Sequence, residues 1–235
     1  MNLDRKPVTN KILLSISDDE YHHISPHLEF LELPQRFSLH EPNRKIEFAY
    51  FRNGGLISLL VATEDGKTVE AGMEGKVGVV GAPLAVGLTI SRLRYLVQIA
   101  GDGFRFKRNP FQSCVKMTSQ FQMALSRYAV VQAMEVAQTA AYNRLHELGR
   151  RLARWLLLAS DRVDSNSLPI THDFLAATLG TDRPRVRLAA KILEKKTIIP
   201  YKRGQMKILS VRRLESFWCG CCRAIQHFHN RLRLK

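Results

Sequence analysis

The stretch Thr171-His-Asp-Phe-Leu-Ala-Ala-Thr-Leu-Gly180-Thr-Asp-Arg-Pro-Arg-Val-Arg-Leu-Ala-Ala-Lys-Ile-Leu-Glu-Lys-Lys196 decides how the chain is read. Thr171 is a good helix N-cap, because its hydroxyl can take a free backbone N–H of the first turn. Asp173 follows inside that turn, where the helix dipole favours negative charge. Phe174, Leu175 and Leu179 supply an apolar side. Gly180 stands where a left-handed residue must end the helix. Thr181 or Asp182 caps the next helix, and Pro184 falls in its first turn, where a missing N–H costs little. Two short helices joined by a tight turn containing Gly form a helix-turn-helix pattern.

The second of these helices carries two chemically different faces. Val186, Ala189, Ala190 and Leu193 recur at i, i+3, i+4 and i+7 and should be buried. Arg183, Arg187 and Lys191 recur at steps of four and should be exposed along one line, with Arg185 flanking them. The N-terminal turns of such a helix enter the DNA major groove, where a guanidinium can bond guanine O6 and N7 together. The bland alternative, a solvated basic face on an ordinary helix, leaves the capped helix and turn before it unexplained.

Working outward, Ile198 to Leu209 gives two short apolar runs around Tyr201-Lys202-Arg203-Gly204, a β-hairpin wing whose Lys202 and Arg203 would reach phosphates. Ser210 caps a last short helix with Leu214 and Phe217. Upstream, Leu145, Leu148, Leu152, Leu156 and Ala159 describe an amphipathic helix over about 143–162 that carries Arg144, Arg150, Arg151 and Arg154 on its other face. Residues 164–167 read as a loop. A longer helix is expected over 111–141. In it Met123, Val130, Met134, Ala137 and Ala141 lie at spacings of seven, four, three and four, a heptad-like seam interrupted by Arg127. That stripe either packs on its own β-domain or pairs with a second copy, and a linker helix with little core to cover favours pairing.

From about residue 29 to 110 the period turns toward two. Runs rich in β-branched and aromatic residues occupy 30–33, 46–52, 56–62, 68–71, 93–99 and 104–107, and ten of the 14 glycines fall between 54 and 103. Many short strands with glycine turns read as an antiparallel barrel or roll, with Glu64-Asp65-Gly66 the clearest hairpin. Residues 12–28 read as a short helical entry.

Charge separates the two halves. Residues 1–143 carry 16 basic and 14 acidic side chains, and residues 144–235 carry 20 and 7, so +13 of the net +15 sits in the second part. A near-neutral segment joined to a strongly basic one implies two jobs, one of them binding a polyanion. No run approaches roughly 18 consecutive apolar residues, so no membrane-spanning helix is expected. The polar stretch Met1 to Lys11 has no signal-peptide core, and with Cys219, Cys221 and Cys222 crowded near the C-terminus a reducing cytoplasm is expected.

Residues 144–217 resemble the winged helix-turn-helix of the Crp/Fnr family of bacterial transcription factors. The similar features are Arg151-Leu-Ala-Arg-Trp-Leu-Leu157, Leu168-Pro-Ile-Thr171, Phe174-Leu-Ala176, Leu179-Gly180 and the run Arg183 to Leu193. The upstream order of roll, long helix and DNA-binding domain is also similar. The resemblance implies an α+β chain: an N-terminal cyclic-nucleotide-binding-like antiparallel β-roll over 1–110, a dimerisation helix over 111–142, and a C-terminal winged helix-turn-helix over 143–235. Base contacts are expected from Arg183, which matches the family pattern, and from Arg185, Arg187 and Leu188, the last on a thymine methyl. Phosphate contacts would come from Thr171, Thr181, Lys191, Lys202 and Arg203. Two departures weigh on the details. Pro184 and Leu188 replace residues usual in the family's recognition helix, so its base code does not transfer. The turn Gly78-Val79-Val80-Gly81 lacks the family's ribose-binding carboxylate, and Arg92 or Arg94 follows without the adjacent Ser. An effector pocket would thus involve Gly78, Gly81, Arg92 and Arg94, and cyclic AMP is not expected in it.

No cofactor is expected, and a small-molecule effector is left open. No cysteine precedes Cys114, so the family's N-terminal iron–sulfur pattern is missing. His22, His23, His27 and His40 read as surface histidines. Cys219, Cys221 and Cys222 with His227 and His229 fit no standard zinc spacing. No phosphate-binding loop, nucleophile elbow or zinc-protease motif appears, so no enzyme is expected. The expected function is a homodimeric, sequence-specific DNA-binding regulator on a palindromic operator, with RNA polymerase as a partner if it activates. The alternative is non-specific DNA or RNA binding without effector control.

Overall fold

In the computed structural model, residues 7–64, 68–202 and 204–217 are described, Lys202 by its backbone alone. Two short helices, α1 (Lys11–Leu14) and α2 (Asp18–Ile24), lie against the roll. Asn10 ties the first of them down: its side-chain oxygen accepts from the Ile12 and Leu13 amides, and its Nδ2 donates to the carbonyls of Arg52 and Gly78. A 3-10 turn, Ser25–His27, leads into the strands.

The roll comprises β1 (Leu28–Leu33), β2 (Ser38–His40), β3 (Phe48–Arg52), β4 (Leu56–Ala62), β5 (Thr68–Glu74), β6 (Val79–Val80), β7 (Arg94–Ile99) and β8 (Gly101–Lys107). They form two antiparallel sheets, β1-β8-β3-β6 and β2-β7-β4-β5. All six runs expected as strands are strands; β2 and β6 were too short to show alternation. The β4–β5 hairpin pairs Ala62 with Thr68. Leu33, Leu39, Tyr50, Ile57, Leu59 and Tyr95 fill the space between the sheets. Gly103 is forced by crowding, since a Cβ there would lie 2.4 Å from the Phe51 carbonyl oxygen. His40 corrects one expectation. It is 6% exposed, its Nε2 lies 2.9 Å from the Phe48 carbonyl oxygen, and burial lowers its pKa.

The helix expected over 111–141 is two: α3 (Arg108–Met117) and α4 (Ser119–Leu145), broken at Thr118. The cause lies about a hundred residues away. The Glu20 carboxylate accepts from the amides of Gln120 (3.0 Å) and Phe121 (2.8 Å), satisfying first-turn donors that α4 would otherwise leave open. Thr118 turns its hydroxyl back onto the Cys114 carbonyl at 2.6 Å. Phe121, Ala124, Leu125 and Tyr128 of α4 pack with Phe51, Phe106 and Phe111 under the roll.

After an extended His146, α5 (Leu148–Val163) starts five residues later than expected. Then come β9 (Ser167–Leu168), α6 (His172–Thr178), α7 (Arg183–Lys195), β10 (Tyr201–Lys202), β11 (Gln205–Lys207) and α8 (Val211–Ser216). The segment expected as a loop thus ends in a strand that joins the wing in the order β10-β11-β9, with Leu168 opposite Met206. Its two residues are too few to carry a period. No described helix is long and apolar enough to cross a membrane.

Replacing the remote cap should show in stability. Glu20→Ala is expected to lower it by about 1 kcal/mol, a Tm drop of a few degrees in calorimetry, as helix caps of this kind are worth. An unchanged Tm would contradict the assignment.

Candidate nucleic-acid interface

The helix-turn-helix unit is built from its caps. Thr171 Oγ1 accepts the Phe174 amide at 3.2 Å, starting α6. Gly180 takes φ +59°, the left-handed turn that a side chain would strain. Of the two candidate caps for α7, Asp182 is the one used: its Oδ1 accepts the Arg185 amide at 2.9 Å. Thr181 donates its own amide to the Ala176 carbonyl at 2.9 Å and so tightens the turn.

Burial then fixes how α7 is rotated. Val186, Ala189, Ala190 and Leu193 are at most 5% exposed and pack in one core with Leu152, Leu156, Leu175, Leu179 and Ile198. The expected outward residues face out: Arg183, Arg185, Arg187, Leu188 and Lys191 are all exposed, and Thr171 is exposed while Thr181 is half-buried. Arg183 lies 3.4 Å from Asp173, and Arg185 lies 3.2 Å from Asp182. Both pairs are mostly solvated, so each is worth about 0–1 kcal/mol and yields readily to a phosphate or a base edge. Sequence reading missed Ile192, which is 45% exposed beside Leu188, and His172, whose ring stacks on Tyr201 of the wing at 4.0 Å. The Ile192 signal was present, as an apolar residue off the buried set of α7. Burial, then the charges of Arg183 and Arg187, lower the His172 pKa. The Lys202 side chain and Arg203 lie outside the described residues, as do Cys219, Cys221, Cys222, His227 and His229.

On α4 the five seam residues are exposed, Met123 at 53%, Val130 at 56% and Met134 at 42%, with Ala137 and Ala141 beside them. A different stripe, from Phe121 to Tyr128, covers the roll. The helix is therefore apolar on two sides, and among the described residues only one of them has a partner.

Of the four residues expected around an effector, Gly78 lines a cavity that Gly81, Arg92 and Arg94 do not. This cavity, of about 440 Å³, lies between β5, α4 and α5. Gly81 takes φ +96° and abuts Ala49, Arg92 is exposed, and Arg94 lies 3.2 Å from Glu41. Glu70, Glu74, Arg154, Trp155 and Arg162 instead face that cavity, a set the sequence reading did not connect.

Comparison with known proteins agrees with this geometry. Residues 150–217 match the model of the Crp-like helix-turn-helix domain. A sequence search of curated proteins finds no match. Among solved structures, the chain is similar to a transcriptional regulator of the Crp/Fnr family from Eubacterium rectale (TM-score 0.67, 15% identity, covering 88% of this chain and 96% of that one). It is also similar to FixK2 from Bradyrhizobium japonicum (TM-score 0.70, 14% identity, 82% and 98%). A CRP-family transcriptional regulator from Thermus thermophilus matches at TM-score 0.66 and 17% identity, over 80% of this chain and 95% of that one. With a Crp-like helix-turn-helix domain over residues 150–217 behind a β-roll and a long helix, the chain has the fold of the Crp/Fnr-family regulators it is similar to.

Proposed function

We infer that the protein acts as a homodimer that reads a palindromic operator, without gating by cyclic AMP. The observation that carries this reading is the outward basic face of α7 set against its fully buried opposite side. Arg183, Arg185 and Arg187 read bases in the major groove and Leu188 touches a thymine methyl. Thr171, Thr181, Lys191, Lys202 and Arg203 hold phosphates. The exposed seam from Met123 to Ala141 supports pairing of two α4 helices. A two-fold pair presents its α7 helices to half-sites about 34–36 Å apart.

Two features argue against cyclic AMP. The space between the sheets is filled by Tyr50, Tyr95 and aliphatic side chains. The residues that would gather around a ribose and phosphate, Gly78, Gly81, Arg92 and Arg94, have separate surroundings. The domain division over 1–110, 111–142 and 143–235 is retained as a functional one: sensing or formerly sensing roll, pairing helix, and DNA-binding unit. RNA polymerase is a partner if the protein activates.

Arg183→Ala and Arg187→Ala are each expected to weaken operator binding by about 1–3 kcal/mol and to relax one base position, whereas Lys191→Ala weakens all sequences alike and lowers the salt slope by about 1. Electrophoretic titration on operator and scrambled duplexes separates the two. Identical behaviour of all three variants would favour non-specific nucleic-acid binding instead. Light scattering should give twice the chain mass, and Val130→Glu should return it to the chain mass; a monomeric parent protein would contradict the seam. Calorimetry with cyclic AMP should show no saturable heat, and a clear binding isotherm would overturn the reading of the roll.

A further inference from the structure

The cavity between β5, α4 and α5 is walled by ionisable groups that DNA recognition does not use. Glu70 and Glu74, both on β5, are 6% and 5% exposed. Glu70 crosses to the DNA-binding unit: its carboxylate accepts Trp155 Nε1 of α5 at 2.7 Å and also the Ser58 hydroxyl of β4. Glu74 turns to α4, accepting Gln132 Nε2 at 2.5 Å and the Tyr128 hydroxyl. Arg162 of α5 donates to the Met73 carbonyl at 3.0 Å and to Glu135 of α4 at 2.8 Å. Trp155 in turn packs edge-on against Phe174 of α6, 5.5 Å between ring centroids. A line of contacts, hydrogen-bonded from Ser58 through Glu70 to Trp155 and aromatic from Trp155 to Phe174, therefore runs from the roll into the first helix of the helix-turn-helix.

The same seam is imperfectly satisfied. Arg154 Nε and Thr178 Oγ1, from two residues of the cavity wall, are buried without a hydrogen-bond partner among the described residues. Stranded polar groups of this kind penalise the docked arrangement and leave room for a second one. We propose that Glu70 and Glu74 form a proton-operated catch that holds α5 and the helix-turn-helix against β5 when protonated and loosens that contact when both carboxyls ionise.

The charge inventory supports this direction. Three carboxyls, Glu70, Glu74 and Glu135, share the buried space with the guanidiniums of Arg154 and Arg162 from α5; Asp161, also on α5, is exposed. Arg52 of β3 and Tyr95 of β7 act on the Glu74 side. Lys11, Lys76, Arg151 and Asp164 stand along the wall, and no histidine lines it among the described residues. Burial is the largest cause of each shift, joined at Glu74 by the nearby Glu135 and opposed at both by hydrogen bonds and Arg162, and the result raises both carboxyls to about 7. A carboxyl hydrated in an opened seam would titrate near the ordinary value of 4.5. The docked form thus binds protons more tightly than the open form. Docking is favoured fully below that ordinary value and is lost as pH rises through about 7. For each carboxyl, the docking constant should fall about tenfold between pH 6 and pH 8.

Trp155 reports this contact directly and needs no DNA, so the test stands apart from operator binding. The chain has two tryptophans, and Trp218→Phe leaves Trp155 as the only one to excite selectively. In that full-length protein, the emission maximum should move to longer wavelength as pH rises from 5.5 to 8.5, with a midpoint near 7. The E70Q and E74Q double variant, which mimics the protonated pair, should keep the short-wavelength emission throughout, while E74Q alone should halve the pH response. Circular dichroism checks that each variant is folded; if the double variant is not, E74Q alone decides. Emission that does not change with pH, or a pH response of undiminished size in a folded variant, would overturn the proposal.

Discussion

Everything that α7 presents to DNA depends on how its other side is buried. Val186, Ala189, Ala190 and Leu193 enter a core they share with α5 and α6, and that core allows one rotation of the helix. A turn of one residue about the axis would bring a guanidinium into the apolar core, at the cost of an unpaired buried charge. The outward placement of Arg183 and Arg185 is therefore enforced by packing rather than by their own contacts, which are weak solvated pairs. Small side chains at 189 and 190 let α7 approach α5 closely, and that closeness sets the height at which the arginines stand above the domain.

The same core does not stop at the DNA-binding unit. Leu56 of β4 and Met73 of β5 belong to it. The roll thus contributes apolar surface to the domain that reads DNA, and directly beside this contact lies the buried polar seam of Glu70, Trp155 and Arg162. Apolar burial gives the junction its strength, and the ionisable groups make that strength adjustable. A junction built from apolar contacts alone would have no chemical handle near neutral pH. Buried carboxyls supply one, because the proton that neutralises them is exchanged with solvent in the range where cells operate.

Much of this was legible in the sequence, and where it was not the reason is physical. The caps, the left-handed Gly180 and the two-faced α7 follow from local chemistry, so they could be read from a window of about 25 residues. The six strand runs showed alternation over enough residues to be recognised. The break at Thr118 could not be read, because the group that caps α4 is Glu20, remote in the chain and close only after folding. Local pattern alone favoured a continuous helix there. His40 reads as an ordinary polar residue and is buried because β2 pairs with β7. Nothing local marks Glu70 and Glu74; that both line a cavity depends on α4 and α5 closing over β5. The five seam residues were identified by spacing, but spacing does not say that a second apolar stripe on α4 would claim the roll and leave the first uncovered.

The central claim is that the exposed side of α7 reads base sequence in a two-fold arrangement. Selection of bound duplexes from a random DNA pool by the full chain tests it most directly. The account predicts enrichment of one inverted repeat whose half-sites lie one helical turn apart. Enrichment of no motif, or of a motif without two-fold symmetry, would contradict it.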